Sequence, residues 1–437
     1  MSNRYLLILI IFYLAVFNSI LCQDVEYARR IIRDLASPGM YGRGYVKKGD
    51  YKAAMYISKE FKSIGLEKTY RRYLQPFSIS VNTFPGKVQL YLNNQLMIPA
   101  KDYLVSPESH SAEGKFITYP VRYSDLIYGE NWLKIIGESS DKFIVIDKTL
   151  PDVEILKKED EERIREILRF MKMHPEYPAA GTLIVTNEKL TWSGSTIEGS
   201  KPFVILNTEL PLTEIKTVEI KIKNTFYQAY QTYNIIGLLP GKLYPDSFIV
   251  FTAHYDHLGC MGRETCFPGA NDNASGIAML LNLAKYYSME ENIPDYSMAF
   301  LALGAEELGL LGAEYYTENP VFPLDRISFL INIDLAGNGE EGITVVNGSV
   351  YPGKFELLKR INETNLFLPQ VKTRGVACNS DHCRFHEKSV PCFFIYTMGG
   401  STAYHDIFDT PDSLPLKAFE NYFLLLKSFT NSLQVRY

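Results

Sequence analysis

Ser247-Phe248-Ile249-Val250-Phe251-Thr252-Ala253, followed at once by His254-Tyr255-Asp256-His257, sets the reading of this chain. That stretch is strand-like. From Tyr233 onward the texture repeats. Strand-like runs at 234–239, 297–303, 327–333 and 391–397 alternate with helical stretches at 273–289, 308–317 and 353–362, and a long final helix covers 415–433. Alternating units of this kind predict an α/β domain with a mixed, largely parallel central sheet flanked by helices. Further back, 25–36 and 50–64 read as amphipathic helices, with Ala28, Ile31, Ile32 and Leu35, then Ala54, Ile57, Phe61 and Ile64, at helical spacing. Between them, Tyr41-Gly42-Arg43-Gly44-Tyr45 is a Gly-rich loop without the flanks of a phosphate-binding loop.

From about 110 to 225 the pattern changes. Short β-like runs at 143–147, 182–186, 203–206 and 217–222 are interrupted by one highly charged helix, Lys157 to Lys172, whose mixed signs suit a solvated face. Residues 24–110 and 226–437 are therefore assigned to one domain and 111–225 to a small β-rich domain inserted into it. A chain of 437 residues with 46% apolar and 22% charged residues has the composition of a protein with a buried core. The balance of 45 basic against 50 acidic side chains offers no basic stripe for nucleic acid.

At the N-terminus, Arg4 precedes an apolar run of 13 residues, Tyr5 to Phe17. That is short of the ~18 apolar residues of a membrane span and reads as a signal peptide over 1–22, leaving no span in the mature chain. The expected location is secreted, or periplasmic and cell-envelope. An uncleaved anchor is the alternative; lipid attachment at Cys22 is disfavoured by bulky Ile20 and Leu21. An oxidising compartment permits disulfides. Cys260 and Cys266 bracket a short loop and form the best local pair, Cys378 with Cys383 forms a second, and Cys392 is expected to be a buried free thiol.

In open α/β sheets ligands gather at the carboxyl ends of strands. His254-Tyr255-Asp256 follows 247–253, Gly304-Ala305-Glu306-Glu307 follows 297–303, Asp334 follows 327–333, and Tyr404-His405-Asp406 lies beyond 391–397. Pro268-Gly269-Ala270-Asn271-Asp272 leads into the helix after the first of these. Singly, each has a bland explanation: Asp272 as a helix N-cap, Glu306-Glu307 as a helix start, Asp334 as a turn residue, His254 or His405 as a structural histidine. Together they deliver two imidazoles and three carboxylates to one sheet edge. Such a nitrogen and oxygen set suits Zn²⁺, with Mn²⁺ or Co²⁺ as substitutes. A catalytic zinc uses three protein ligands, so five ligands serve two ions if one carboxylate is shared. Two Zn²⁺, three carboxylates and one hydroxide sum to about zero formal charge. One Glu of the adjacent pair is then left to face water, because neighbours in an extended segment point opposite ways.

The series His254-Tyr255-Asp256, Gly269 to Gly276, Ala305-Glu306-Glu307-Leu308-Gly309, Asn332-Ile333-Asp334 and Tyr404-His405 resembles that of secreted two-zinc aminopeptidases and their carboxypeptidase relatives. Ser380-Asp381-His382 with Phe385 and Val390-Pro391 fits the same pattern. The resemblance implies a fold of zinc exopeptidase type and two Zn²⁺ ions as cofactors. It places His254 and Asp334 on one ion, Glu307 and His405 on the other, and Asp272 between them. Glu306 is implied as general base, Asp256 as the partner that fixes His254, and Tyr404 as a group that stabilises the oxyanion. The expected partners are peptides with a free N-terminus. The insertion resembles a protease-associated domain, and since it contains none of the five ligands its removal is expected to spare the metal site. His257, His382 and His386 are expected to be structural or to support the ligands. A related zinc hydrolase or single-zinc glutaminyl cyclase is the rival within enzymes, disfavoured by the insertion and the full ligand set. A silent binding ectodomain is expected to lack ligands or base, and none is missing.

Overall fold

The computed structural model describes residues 24–150 and 156–434, so the expected signal segment, Cys22 included, lies outside the described residues. The chain begins with helices α1 (Val25–Leu35) and α2 (Gly49–Ile64), whose apolar stripes Ala28, Ile31, Ile32, Leu35 and Ala54, Ile57, Phe61 are buried as the periodicity requires. Strands β1 (Glu67–Lys68) and β2 (Leu74–Thr83) follow.

A second sheet comes next, formed by β3 (Val88–Leu92), β4 (Gln95–Leu96), β5 (Tyr103–Val105), β6 (Ala112–Arg122), β7 (Phe143–Asp147), β8 (Gly181–Thr186), β9 (Phe203–Asn207) and β10 (Thr217–Ile222). Its order is β4-β3-β10-β6-β7-β8-β9-β5. Helices α3 (Gly129–Glu138) and α4 (Lys158–Met173) accompany it. The expected boundary at 110/111 is corrected here, because β3 pairs with β10 from Val88↔Ile222 to Leu92↔Val218 and β5 pairs with β9. These early strands are short, and their partners lie a hundred residues downstream. The chain enters and leaves this unit through a two-stranded ribbon of β2 with β11 (Thr225–Leu239), which closes at Thr83↔Thr225.

The rest of the chain completes the main sheet with β12 (Tyr244–His254), the hairpin β13 (Cys260–Met261) and β14 (Thr265–Cys266), α5 (Gly276–Tyr287), β15 (Tyr296–Leu303), α6 (Leu311–Glu318), β16 (Ile327–Asp334), β17 (Gly342–Val346), α7 (Pro352–Asn365), β18 (Val371–Thr373), α8 (His382–Glu387), β19 (Cys392–Met398) and α9 (Phe419–Leu433). The hairpin is a separate small sheet; the main order is β1-β11-β15-β12-β16-β19-β17-β18, with β2 also on β11. Its centre, β15-β12-β16-β19, is parallel, and β11 and β17 join antiparallel on either side. The sheet is mixed, as expected. Side chains alternate between two cores: Ile249, Phe251, Met298, Phe300, Phe329 and Ile331 enter one, Phe248, Val250, Ala299, Leu301 and Leu330 the other. A parallel strand covered on both faces is apolar at most positions, and the polar exceptions Thr252 and Asn332 pair with each other, Thr252 Oγ1 donating to Asn332 Oδ1 at 2.6 Å.

Two helix starts differ from the sequence reading. Helix α5 begins at Gly276, after an irregular turn over 270–275. Helix α9 begins at Phe419 rather than 415, since Leu416 takes a left-handed conformation, φ 53°, that an α-helix does not contain. The disulfides Cys260–Cys266 and Cys378–Cys383 are present and Cys392 is a buried free thiol.

Candidate metal centre

Four parallel strands end on one side, and the chemistry follows their ends. His254 is the last residue of β12, Asp334 the last of β16, Glu306-Glu307 sit just past β15, and His405 lies on the loop beyond β19. Asp272 comes from the turn before α5, not from a helix N-cap; Asn273 takes the cap-like role, its Oδ1 accepting from Gly276 N at 2.9 Å.

The five side chains expected as ligands meet in one cluster. His254 Nε2 lies 3.3 Å from Asp272 Oδ1 and 3.4 Å from Asp334 Oδ2. His405 Nε2 lies 3.1 Å from Asp272 Oδ2 and 3.2 Å from Glu307 Oε2. The carboxylate of Asp272 thus divides its two oxygens between two imidazoles. The edge of a regular tetrahedron is about 1.6 times its centre-to-corner distance, so Zn bonds of ~2.0–2.1 Å need donors roughly 3.3 Å apart. The donor spacings at both poles fit that requirement. The electrostatics fit as well. Burial works against protonation of His405, yet its hydrogen bonds to Asp272 and Glu307 outweigh it and hold its pKa up at about 11. Burial likewise opposes protonation of His254, and Glu306 and Asp334 push its pKa well above the ordinary imidazole value. The cluster demands positive charge at both poles, and divalent cations supply it.

The residues around the donors have specific jobs. Asp256 was expected to fix His254 through hydrogen bonding, and it meets that imidazole through its main chain. The His254 Nδ1 contact is to the Asp256 main-chain oxygen at 3.2 Å, while the carboxylate stands 3.9 Å away. The Asp256 carboxylate instead accepts from Glu306 N at 3.1 Å and Glu307 N at 3.3 Å, clamping the adjacent glutamates. His257 Nδ1 is 2.7 Å from Glu307 Oε1, closer than co-ligands of one zinc stand, so it reads as a hydrogen-bonding support. His382 is structural, its Nε2 2.9 Å from Ala377 O, and burial lowers its pKa to about 4. Tyr404 stacks on His405 with ring centroids 3.9 Å apart. Burial, reinforced by the nearby carboxylates, raises its pKa above the usual phenol range. Burial also drives Glu306 well above the usual carboxylate range, His254 opposing and Asp381, Glu307 and Asp334 adding to it.

Three supporting residues escaped sequence reasoning. Asp409 accepts from Asn271 N at 2.8 Å and Asp272 N at 3.0 Å, fixing the shared carboxylate from behind. Arg43 is fully buried and donates to five main-chain oxygens, those of Leu35, Tyr255, Pro268, Gly269 and Asp272. Gly42 and Gly44 flank it because a Cβ at either would come within 2.5 Å of the 259–267 backbone. Trp192 belongs to the second unit, yet its main-chain oxygen lies 3.1 Å from His405 Nδ1. None of the five expected ligands lies in this unit, yet it contacts one of them. Only the Gly-Arg-Gly run carried a readable signal.

A donor cluster of this kind at the carboxyl edge of a mixed sheet defines an α/β domain of the zinc-peptidase type. Residues 234–430 match the model of peptidase family M28. The chain is similar to aminopeptidase YwaD of Bacillus subtilis, 33% identical over 186 residues that make up 41% of this chain and 38% of the relative. It is also similar to leucine aminopeptidase 1 of Phaeosphaeria nodorum, 25% identical over 51% of this chain and 60% of that one. The chain spans about a third of the length of the first curated relatives it matches, 38% and 34%. Among solved structures, BSAP, a zinc aminopeptidase from Bacillus subtilis, superposes with a TM-score of 0.70 at 20% identity, covering 95% of this chain and 96% of that one. The likeness extends through the second unit, and at that identity it speaks for the fold.

Proposed function

We propose that the chain is an exported aminopeptidase that hydrolyses N-terminal peptide bonds with two zinc ions. The observation that carries this reading is the division of Asp272 between His254 and His405. His254, Asp334 and Asp272 Oδ1 form one donor set, and His405, Glu307 and Asp272 Oδ2 the other. Zinc held there supplies Lewis acidity toward a peptide carbonyl and lowers the pKa of water. Glu306 takes a proton from the attacking water and returns it to the leaving amine, a role that suits its raised pKa. The Asp256 carboxylate keeps Glu306 and Glu307 facing their separate tasks through their amides. The Tyr404 phenol, kept protonated, donates to the oxygen that gains charge. The names of the relatives support aminopeptidase over carboxypeptidase specificity, the two disulfides support an oxidising compartment, and the second unit is assigned a protease-associated character. No helix among the described residues is long and apolar enough to cross a membrane.

The test compares Glu306→Gln with Glu307→Ala in metal content and kcat, using aminoacyl amides and their N-acetylated counterparts. Glu306→Gln is expected to keep both zincs and lose about 10²–10⁴ in kcat, while Glu307→Ala loses one zinc. Acetylation should abolish cleavage by the wild type. Loss of zinc from Glu306→Gln with full retention by Glu307→Ala reverses the roles, and equal turnover of blocked substrates ends the aminopeptidase reading.

A further inference from the structure

The loop after β8, residues 187–195, leaves the second unit and lies across the metal edge of the first. Trp192 is its anchor. Its ring stacks on Phe267 with centroids 4.8 Å apart, and its Nε1 donates to Val105 O at 2.7 Å. From that anchor the loop reaches the segment carrying His405 at several points. Trp192 N donates to His405 O at 2.9 Å, and the Trp192 oxygen meets His405 Nδ1. Lys189 Nζ donates to Thr402 O at 2.8 Å and Tyr404 O at 3.2 Å, and pairs with Asp406 Oδ2 at 2.6 Å. Asp406 is buried, 4% exposed, so this ammonium neutralises a carboxylate that water scarcely reaches. Gly194 on the same loop packs on Leu308, next to Glu307, where a Cβ would come within 2.4 Å of Leu308 Cδ2.

His405 itself has φ 54°, a left-handed conformation uncommon for a residue with a Cβ. Such a conformation persists where the surroundings over-determine it, and here the surroundings are the Trp192 and Lys189 contacts. A ligating imidazole has its ring fixed by the partner of its other nitrogen. For His405 that partner is a main-chain oxygen of the second unit. Both side chains of one donor pole, Glu307 and His405, are thus bordered by this loop, while His254 and Asp334 are contacted by Asp256 and Ser380 of the main domain.

We propose that Lys189 is a positioning residue for the Glu307/His405 metal pole, acting through the 402–406 segment that it and Trp192 clamp, and that the second unit thereby governs the occupancy of that pole alone. The proposal rests on the reading of His405 as a metal ligand. The clamp sets the pose of a ligand through the backbone of 402–406 and the Asp406 carboxylate.

The test uses the full folded chain as wild type, Lys189→Met and Lys189→Arg, stripped with chelator and titrated with Co²⁺ while the visible absorption of each bound equivalent is followed. Lys189 is 46% exposed on its side chain, so neither change opens a cavity; Lys189→Met does leave the buried Asp406 without its ion-pair partner, and thermal melting checks that the chain stays folded. In Lys189→Met one equivalent should weaken ~10–100-fold, with an altered spectrum, while the other stays within about threefold of wild type. Lys189→Arg, which keeps the charge and can donate to more than one oxygen, should restore the weakened equivalent. Zinc release to a chromogenic chelator should show the same split. Wild-type affinities for both equivalents in Lys189→Met overturn the proposal, as does equal weakening of both. A wild type that takes up a single equivalent instead overturns the two-metal reading, and the proposal falls with it.

Discussion

Replacing Arg43 removes five hydrogen bonds at once, and the structure allows the cost to be worked out. Its guanidinium donates at 2.7–3.1 Å to the main-chain oxygens of Leu35, Tyr255, Pro268, Gly269 and Asp272. Burial lowers its pKa to about 10, against the pull of Asp272, Asp409, Asp256 and Glu307, so it remains charged at neutral pH. Each buried acceptor left without a donor costs about 1–3 kcal/mol. Gly269 O also accepts from Ala274 N at 3.3 Å, so four acceptors lose their donor and the cost reaches roughly 4–12 kcal/mol, the size of a whole folding free energy, and Arg43→Met should fail to give a folded chain. Lys at the same place keeps the charge but has three donors, enough for three of those four. Arg43→Lys should therefore fold and lose about 1–3 kcal/mol. The assay is guanidinium denaturation in excess chelator, so that metal binding does not mask the change, followed by metal titration. One of the five acceptors is Asp272 O, so affinity at both poles should fall with stability. Arg43→Met unfolding within about 1 kcal/mol of wild type would refute the reasoning, because it would mean that those four oxygens find other donors.

Asp50 supplies a pH test away from the metal. Burial raises its pKa to about 6, although Tyr230 and Thr232 hydroxyls donate to it. Below the unfolded carboxylate pKa both states hold the proton; between that value and about 6 only the folded state does, so stability falls as pH rises through this window. Chelator-treated wild type should lose on the order of 3 kcal/mol or less between pH 4 and 6 relative to Asp50→Asn, and parallel stability profiles for the two would contradict the assignment. For Asp409, which accepts from two adjacent amides, an Asn side chain turns an NH₂ toward one of them. Asp409→Asn should weaken both metal equivalents by about 10–100-fold, in contrast to Lys189→Met; loss at one pole alone would show that Asp272 is not shared.

The donors were legible in the sequence for a topological reason. A parallel strand buried on both faces is largely apolar, so charged or imidazole side chains at its end stand out, and His254, Asp334 and the Glu306-Glu307 pair are such residues. The short inner strands β3 and β17 were not legible. Gly342–Val346 is only five residues long, and the pairing of Val88–Leu92 with Thr217–Ile222 spans too much chain for any local pattern to reveal it. The supports of the donors were hidden for the same reason: Asp409 meets Asp272 across 137 residues, Arg43 meets it across 229, and Trp192 meets His405 across 213.

That separation bears on how the site can vary. A donor set written into strand ends is fixed by the hydrophobic pattern of the main sheet, since a one-residue slip would turn His254 or Asp334 away. Outer contacts made by loops carry no such constraint. Lys189 and Trp192 sit on a loop of a separate sheet, and Arg43 on a glycine-flanked turn near the start of the described chain. The rigid sheet settles which atoms face the cations, whereas distant loops settle how firmly those atoms are held. Changes in metal affinity without loss of fold should therefore arise in the loops, and changes in the donors themselves should abolish one pole outright.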